Sequence, residues 1–157
     1  MDRAFRTLIA FVALTGFVRA EGSPDLDARA AAAQQRGELF VAGNDGRRFL
    51  PAELRFVTKL ASPDISKLAA PAVEAIADFA EQLKSKGISL LLVPVPPKAM
   101  FAAQSLGVAA DQQQLMRRGW ETIVAELRAR GVAVEDLVPV FAAAKDDPYC
   151  QRDTHWS

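Results

Sequence analysis

Ile88-Ser-Leu-Leu-Leu-Val-Pro-Val95, directly after Gly87, is the stretch of sequence from which the fold is predicted. A near-continuous apolar run of this length is typical of a strand that is buried on both faces of a parallel sheet. The preceding segment, Ala70 to Lys86, has a helical apolar stripe at three- and four-residue steps, formed by Val73, Ile76, Ala80 and Leu83. Gly87 suits the position just after the last turn of a helix. The stretch therefore predicts a helix that leads through a glycine into a buried strand.

The same order of elements occurs again further along the chain. Asp111 to Arg130 is predicted to be helical, Gly131 ends that helix, and Val132 to Asp136 is predicted to be a second strand. Two helix–glycine–strand units predict parallel strands joined by a right-handed crossover, as in a three-layer α/β domain. Because two good strands are too few for a finished parallel sheet, we expect the sheet to be truncated.

The segment before these units predicts a hairpin followed by a helix. Glu38 to Ala42 and Arg48 to Leu50 are expected to be short strands, joined by a tight turn at Asn44-Asp-Gly46. Pro51 suits the first position of a helix, which is expected to run to Leu60. The Ala-rich segment Asp27 to Gln35 is expected to be either a short helix or a mobile leader.

The N-terminus predicts export from the cytoplasm. Arg3 and Arg6 precede an uncharged apolar run from Thr7 to Val18, and Val18-Arg19-Ala20 suits a signal peptidase. We expect cleavage after Ala20 and a periplasmic location, with an uncleaved signal anchor as the alternative. The predicted organisation is a signal peptide at 1–20, a leader at 21–37 and a single α/β domain at 38–157.

Composition narrows the function classes. The formal net charge is zero, with 19 basic and 19 acidic residues, so no basic surplus suggests a nucleic-acid partner. The chain has one cysteine, Cys150. In an exported protein, an odd cysteine suggests a disulfide partner that is missing or that belongs to another chain. The alternative, which is about as well supported, is a free and half-buried thiol.

The tripeptide Asp153-Thr154-His155 contains the chain's only histidine and is the candidate for chemistry. In an extended segment, side chains at positions i and i+2 point to the same face. Asp153 could therefore accept the Nδ1–H of His155, which would fix the tautomer and support a protonated ring during catalysis. Segments that follow the strands, Pro94 to Lys98 and Leu137 to His155, are expected to line one crevice, since ligands bind at that edge of α/β sheets.

Other interpretations of these residues remain open. Asp153 and His155 could form a structural hydrogen-bonded pair, or could join Cys150 as metal ligands, although zinc would need a fourth ligand and a characteristic spacing. Lys98 could be a solvated lysine or a contact to an anionic sugar. Tyr149 and Trp156 are each expected either to pack in the protein or to stack on a sugar ring.

Four motifs carry a resemblance to a known family. They are Gly43-Asn-Asp-Gly46 with Phe49-Leu50 and Glu53-Leu54, Leu83 to Ile88, Leu92-Val-Pro-Val-Pro-Pro-Lys98, and the segment Tyr149 to Trp156 with its Arg-Asp-Thr-His-Trp box. Together they resemble the SGNH-hydrolase-like sugar O-acetyltransferases of the alginate acetylation machinery, of the AlgX/AlgJ type. The resemblance extends from about Glu38 to the last residue.

The resemblance implies a three-layer SGNH-hydrolase-like, flavodoxin-like fold with a parallel sheet, of which this chain is the N-terminal part. Asp153 and His155 match the catalytic Asp and His of the family. The family's catalytic serine lies well downstream of this box, so the nucleophile and the oxyanion donors are expected beyond Ser157. Ser157 itself does not match the nucleophile, and the chain ending there is expected to be inactive alone.

The implied activity is acetyl transfer to hydroxyl groups of an alginate-like exopolysaccharide by a Ser-His-Asp mechanism, which needs no cofactor or metal. The implied partners are the polysaccharide, an acetyl donor or acetyl-relay protein, and a polysaccharide export and modification complex. Two alternatives are a secreted esterase of the same fold and a non-catalytic periplasmic binding or scaffold protein.

Overall fold

Residues 25–155 are described by the computed structural model of the chain. The predicted signal peptide and its cleavage site, together with Trp156 and Ser157, lie outside the described residues. No helix within the described range is long and apolar enough to cross a membrane. The elements, in order, are α1 (Leu26–Gln35), β1 (Val41–Ala42), β2 (Arg48–Phe49), α2 (Pro51–Leu60), α3 (Ile65–Lys84), β3 (Leu91–Leu92), α4 (Lys98–Phe101), a 3₁₀ turn (Ala103–Leu106), α5 (Ala110–Ala129), β4 (Ala133–Val134) and α6 (Val138–Ala143).

The predicted hairpin is confirmed. Strands β1 and β2 pair antiparallel, with Val41 opposite Phe49 and Ala42 opposite Arg48. The turn between them needs a positive φ, which Gly46 supplies at 81°. The hairpin carries Phe49 into the core, where its side chain is fully buried.

Three helices form the centre of the core. Helix α2 begins at Pro51 as predicted and contacts α1 on one side and α5 on another. Helix α1 buries three small or apolar residues, Leu26, Ala30 and Ala33. Of the two expectations for this segment, a short helix and a mobile leader, the structure shows the helix, and it belongs to the core.

The contact between α2 and α5 depends on Gly119. A Cβ atom at this position would lie 1.9 Å from the carbonyl oxygen of Leu60 at the end of α2. The backbones of α2 and α5 therefore approach more closely than a side chain at position 119 would allow. The predicted helix at Asp111 to Arg130 is confirmed, and its residues Met116, Trp120 and Leu127 are buried around this contact.

The predicted parallel strand pair is present but short. Leu91 pairs with Ala133 and Leu92 with Val134, and the Glu135 N–H extends the pairing by donating to the Leu92 carbonyl at 2.9 Å. Helix α5 lies in the connection between these strands, as the repeated helix–strand order predicted. The described residues thus form a mixed α/β structure, a set of helices with two two-stranded sheets.

The prediction that β3 is buried on both faces is wrong for the described residues. Leu91 is 61% exposed, and Val93 and Val95 on the same face are also exposed, whereas Leu92 packs against the core. Successive side chains of a strand point to opposite faces, and here the core helices cover one face only. Pro94, Pro96 and Pro97 lack a backbone N–H, which limits pairing beyond Leu92.

Candidate functional site

Asp153 and His155 are in direct contact, as their spacing predicted. The His155 Nδ1 lies 2.8 Å from the Asp153 Oδ1, and the same oxygen accepts the Thr154 N–H at 2.6 Å. The hydrogen bond from His155, helped by the one from Thr154, lowers the pKa of the Asp153 carboxyl. With Asp153 ionised, the Nδ1 of His155 carries the proton of this hydrogen bond and the Nε2 is left as the basic atom.

The pair is presented towards solvent. The side chain of His155 is 76% exposed and that of Asp153 is 59% exposed. Packing against neighbouring side chains therefore does little to orient either group. Their orientation is set mainly by the backbone of the segment on which they lie.

That segment, residues 149–155, is here called the C-terminal loop. It closes on itself through the Cys150 N–H, which donates to the His155 carbonyl at 3.0 Å. It is also joined to strand β2, because the Arg48 N–H donates to the Gln151 carbonyl at 3.2 Å. These two bonds place Asp153 and His155 beside the end of the hairpin.

Lys98 lies beneath the C-terminal loop and is buried, with 1% of the residue exposed. Its Nζ donates to the carbonyl oxygens of Cys150 at 2.6 Å and Asp153 at 2.9 Å, and to those of Arg48 and Gln151 at 3.2 Å each. An ammonium group has three N–H donors, so at least one is shared among the four acceptors. The interpretation of Lys98 as a solvated lysine is therefore wrong, because its ammonium is engaged by carbonyl oxygens of the protein.

The surroundings of Lys98 are themselves well fixed. Its Nζ lies 5.3 Å from the centre of the Phe49 ring, within the range of a cation–π contact. The next residue, Ala99, donates its N–H to the Glu53 Oε1 at 2.6 Å. Burial lowers the pKa of the Lys98 ammonium and raises that of the Glu53 carboxyl, although the opposite charge of each partner acts against these shifts.

Tyr149 anchors the start of the C-terminal loop. Its hydroxyl donates to the Pro96 carbonyl oxygen, and the residue is buried. Its ring packs against Phe141, with centroids 5.6 Å apart, and against Phe101 at 6.3 Å. Burial raises the pKa of the hydroxyl, which therefore stays protonated as a donor. The packing interpretation of Tyr149 is confirmed.

A shallow cavity of about 310 Å³ lies next to the imidazole of His155. The segments predicted to meet at one crevice do meet here, since His155 and Thr154 line the cavity together with Pro96 to Lys98. The remaining lining residues are Leu50, Glu53, Val95 and Tyr149. No serine is among the described residues that line this cavity.

A second polar cluster, which the sequence analysis did not identify, lies at the turn of the hairpin. The Arg47 guanidinium contacts the carboxylates of Asp45 and Asp147, and the Ser105 hydroxyl donates to Asp45 at 2.6 Å. The Ser105 hydrogen bond is the main cause that lowers the pKa of Asp45 to about 2. These residues border a separate cavity of about 680 Å³. The cluster fixes the hairpin to the segment that enters the C-terminal loop.

Metal binding was one alternative for the C-terminal loop. Within residues 25–155, no group of three or more His, Cys, Asp and Glu side chains is arranged to hold a metal ion. Cys150 is half-buried and does not form such a group with Asp153 and His155. The geometry of the loop fits proton transfer by an Asp–His pair better than ligation.

Comparison with known proteins gives one result. Residues 41–157 match the family model described as SGNH hydrolase-like domain, acetyltransferase AlgX. No curated protein and no solved structure matches the chain significantly. The matched range includes the hairpin, Lys98 and the whole C-terminal loop.

Proposed function

The chain belongs to the AlgX family of SGNH hydrolase-like acetyltransferase domains, and on that premise we propose that it acts in an exported O-acetyltransferase that modifies an exopolysaccharide. One structural observation supports this role above the others. The Asp153 carboxylate holds the imidazole of His155 by a 2.8 Å hydrogen bond beside an accessible cavity. This is the acid–base half of a Ser-His-Asp arrangement.

The proposed reaction has two acyl-transfer steps. His155, through its Nε2, takes the proton of a serine hydroxyl while the serine oxygen attacks the acetyl carbonyl of the donor. The protonated ring then gives this proton to the leaving group, and an acetyl-serine remains. In the second step the ring takes the proton of a sugar hydroxyl, the sugar oxygen accepts the acetyl group, and the proton returns to serine. Asp153 stays ionised and stabilises the imidazolium in both steps.

We propose that the serine and the oxyanion donors are supplied by sequence that follows Ser157. The lining of the His155 cavity supports this, because no serine of the described part of the chain reaches it. The exposed apolar face of β3, with Leu91, Val93 and Val95, suits a further layer of helices, because both faces of a parallel sheet are normally covered. The complete domain would then have the three-layer architecture that the sequence predicts.

The substrate and location are proposed from the sequence and the family. The acceptor is an alginate-like exopolysaccharide, and the acetyl group comes from a donor or an acetyl-relay partner within an export and modification complex. The charged start and apolar run of residues 1–20 favour a signal peptide and a periplasmic site of action.

The proposal is tested with the protein expressed from the gene with all sequence that follows Ser157. Acetylation of uronic-acid oligosaccharides, with p-nitrophenyl acetate as donor, is followed by mass spectrometry, and release of p-nitrophenol in water alone is followed in parallel. The variants are His155→Ala and Asp153→Asn, with Arg152→Gln, an exposed residue of the same loop, as the matched control.

Acetylated oligosaccharide is expected for the wild type and for Arg152→Gln. Asp153→Asn is expected to lower the rate by up to about ten-thousand-fold, as for the Asp of a serine protease triad, and His155→Ala to remove it. Hydrolysis of p-nitrophenyl acetate without acetylation of the oligosaccharide would contradict the proposal and support the secreted esterase. Full activity in His155→Ala would show that this pair is structural, and absence of any turnover would favour a binding or scaffold protein.

A further inference from the structure

The buried ammonium of Lys98 is joined to the backbone of the loop that carries the Asp–His pair. We propose that Lys98 is the positioning residue of this site: its contacts with the loop carbonyls hold Asp153 and His155 in their hydrogen-bonded arrangement. The inference rests on the proposed function of the pair. It assigns a task to a residue that touches neither the imidazole nor the carboxylate of that pair.

The position of the contacts supports this task. Lys98 Nζ bonds the carbonyl of Cys150 at 2.6 Å and that of Asp153 at 2.9 Å. Cys150 also closes the loop through its N–H to the His155 carbonyl. The ammonium thus holds the backbone at Asp153 itself and at the residue that fixes His155. Because the two side chains are mostly exposed, backbone direction is the main determinant of where they point.

The electrostatics of the loop need a cation at this place. Four backbone carbonyl oxygens, those of Arg48, Cys150, Gln151 and Asp153, converge on the Lys98 Nζ within 3.2 Å. Carbonyl dipoles directed at one point repel each other, and buried carbonyls without a donor are costly. Without the ammonium, the Asp153 carbonyl would lose this donor and would turn towards water, which would rotate the backbone at Asp153.

Lys98 can act as a fixed anchor because the core restrains it. It opens α4 directly after Pro97, and the following N–H is held by Glu53 from α2. Its ammonium lies over the Phe49 ring of the hairpin, 5.3 Å from the ring centre. The Lys98 side chain therefore joins α4 to the hairpin, and α2 holds the next residue of α4 through Glu53, so these elements restrain the ammonium that contacts the loop.

The test uses the full chain and its single histidine as the reporter. The ¹⁵N shifts of the His155 ring, recorded at alkaline pH in the range where they no longer change with pH, report which nitrogen carries the proton. The variants are Lys98→Met and Lys98→Gln. The control is Val73→Ala, a buried substitution in α3, chosen because it destabilises the protein away from the loop. A direct measurement on the wild type is the scalar coupling, across the hydrogen bond, between Lys98 Nζ and the carbonyl carbons of Cys150 and Asp153.

In the wild type and in Val73→Ala, we expect the Nδ1–H form to predominate because Asp153 accepts that proton. In folded Lys98→Met and Lys98→Gln, we expect the Nε2–H form to predominate, as for an unrestrained imidazole. Retention of the Nδ1–H form in either folded variant would overturn the proposal. If neither variant folds, the scalar couplings of the wild type decide. Couplings between Lys98 Nζ and the carbonyl carbons of Cys150 and Asp153 would support the positioning role of Lys98, and their absence would overturn it. The readout needs no catalytic turnover. The positioning role of Lys98 can therefore fail while the proposed acetyl transfer holds, and acetyl transfer can fail while the positioning role holds.

Discussion

The Lys98 Nζ lies 2.9 Å from the backbone carbonyl oxygen of Asp153, the residue that orients His155. This contact connects a buried side chain at the start of α4 with an exposed polar pair on a loop. The geometry of the pair is thereby linked to the core, although neither Asp153 nor His155 is itself buried. Stability of the hairpin, of α2 and of α4 should therefore influence the site.

Glu53 is expected to stabilise the protein through the start of α4. Glu53→Ala removes the acceptor of the Ala99 N–H and should lower the free energy of unfolding by about 1–3 kcal/mol, the cost of an unsatisfied buried donor. Glu53→Gln keeps a side-chain carbonyl at the same position and should cost less. Urea denaturation of the two variants measures the difference, and equal losses would show that the hydrogen bond is unimportant.

Gly119→Ala is expected to separate α2 from α5. A Cβ atom at this position would lie 1.9 Å from the Leu60 carbonyl oxygen, so the backbones must move apart. Overpacking of this kind typically lowers the free energy of unfolding by about 1–3 kcal/mol. Because the new Cβ would meet a backbone atom, we expect a loss at or above the upper end of this range. Thermal unfolding checks it, with Gln114→Ala on the exposed face of α5 as control. An unchanged melting temperature for Gly119→Ala would contradict the close contact.

Asp136 is expected to join α5 to the start of α6. Its Oδ1 accepts the indole N–H of Trp120 at 2.9 Å and the Val138 N–H at 3.0 Å. Asp136→Ala leaves both donors without this acceptor and should lower the free energy of unfolding by about 2 kcal/mol. The indole N–H resonance of Trp120 should shift at the same time. Glu135→Ala, at the exposed neighbouring position, should change neither measurement.

The acid stability of the protein should depend on Asp45. Its pKa in the folded protein is about 2, below the ordinary value of 3.8, so the carboxylate stabilises the fold fully above pH 3.8. This contribution is lost as the pH falls from 3.8 through about 2. Ser105→Ala removes the largest cause of the shift and should raise the pKa of Asp45 towards its ordinary value.

The carboxyl ¹³C signal of Asp45, titrated by NMR, measures this change. Ser66→Ala, at an exposed site on α3, is the matched control and should leave the titration unaltered. In denaturation experiments, Asp45→Asn should lose less stability than the wild type between pH 3.8 and 2. A titration midpoint that is the same with and without the Ser105 hydroxyl would exclude this hydrogen bond as the cause.

The sequence by itself determined the features that depend on neighbouring residues. The Asn44-Asp-Gly46 turn specifies the hairpin because Gly46 can adopt the positive φ, and Pro51 marks the start of α2 because its fixed φ suits a first helical turn. The Asp153–His155 contact was also predicted, although from an extended segment, whereas residues 151–155 form bends in a loop that closes on itself.

Only the tertiary structure decided the features that depend on distant residues. An apolar run such as Ile88 to Val95 does not reveal how many of its faces are covered, since that depends on which elements pack beside it. Nor does a lysine after two prolines reveal that its charge is buried. The carbonyls that hold Lys98 belong to the hairpin and the C-terminal loop, and backbone carbonyls carry no sequence signal because every residue has one.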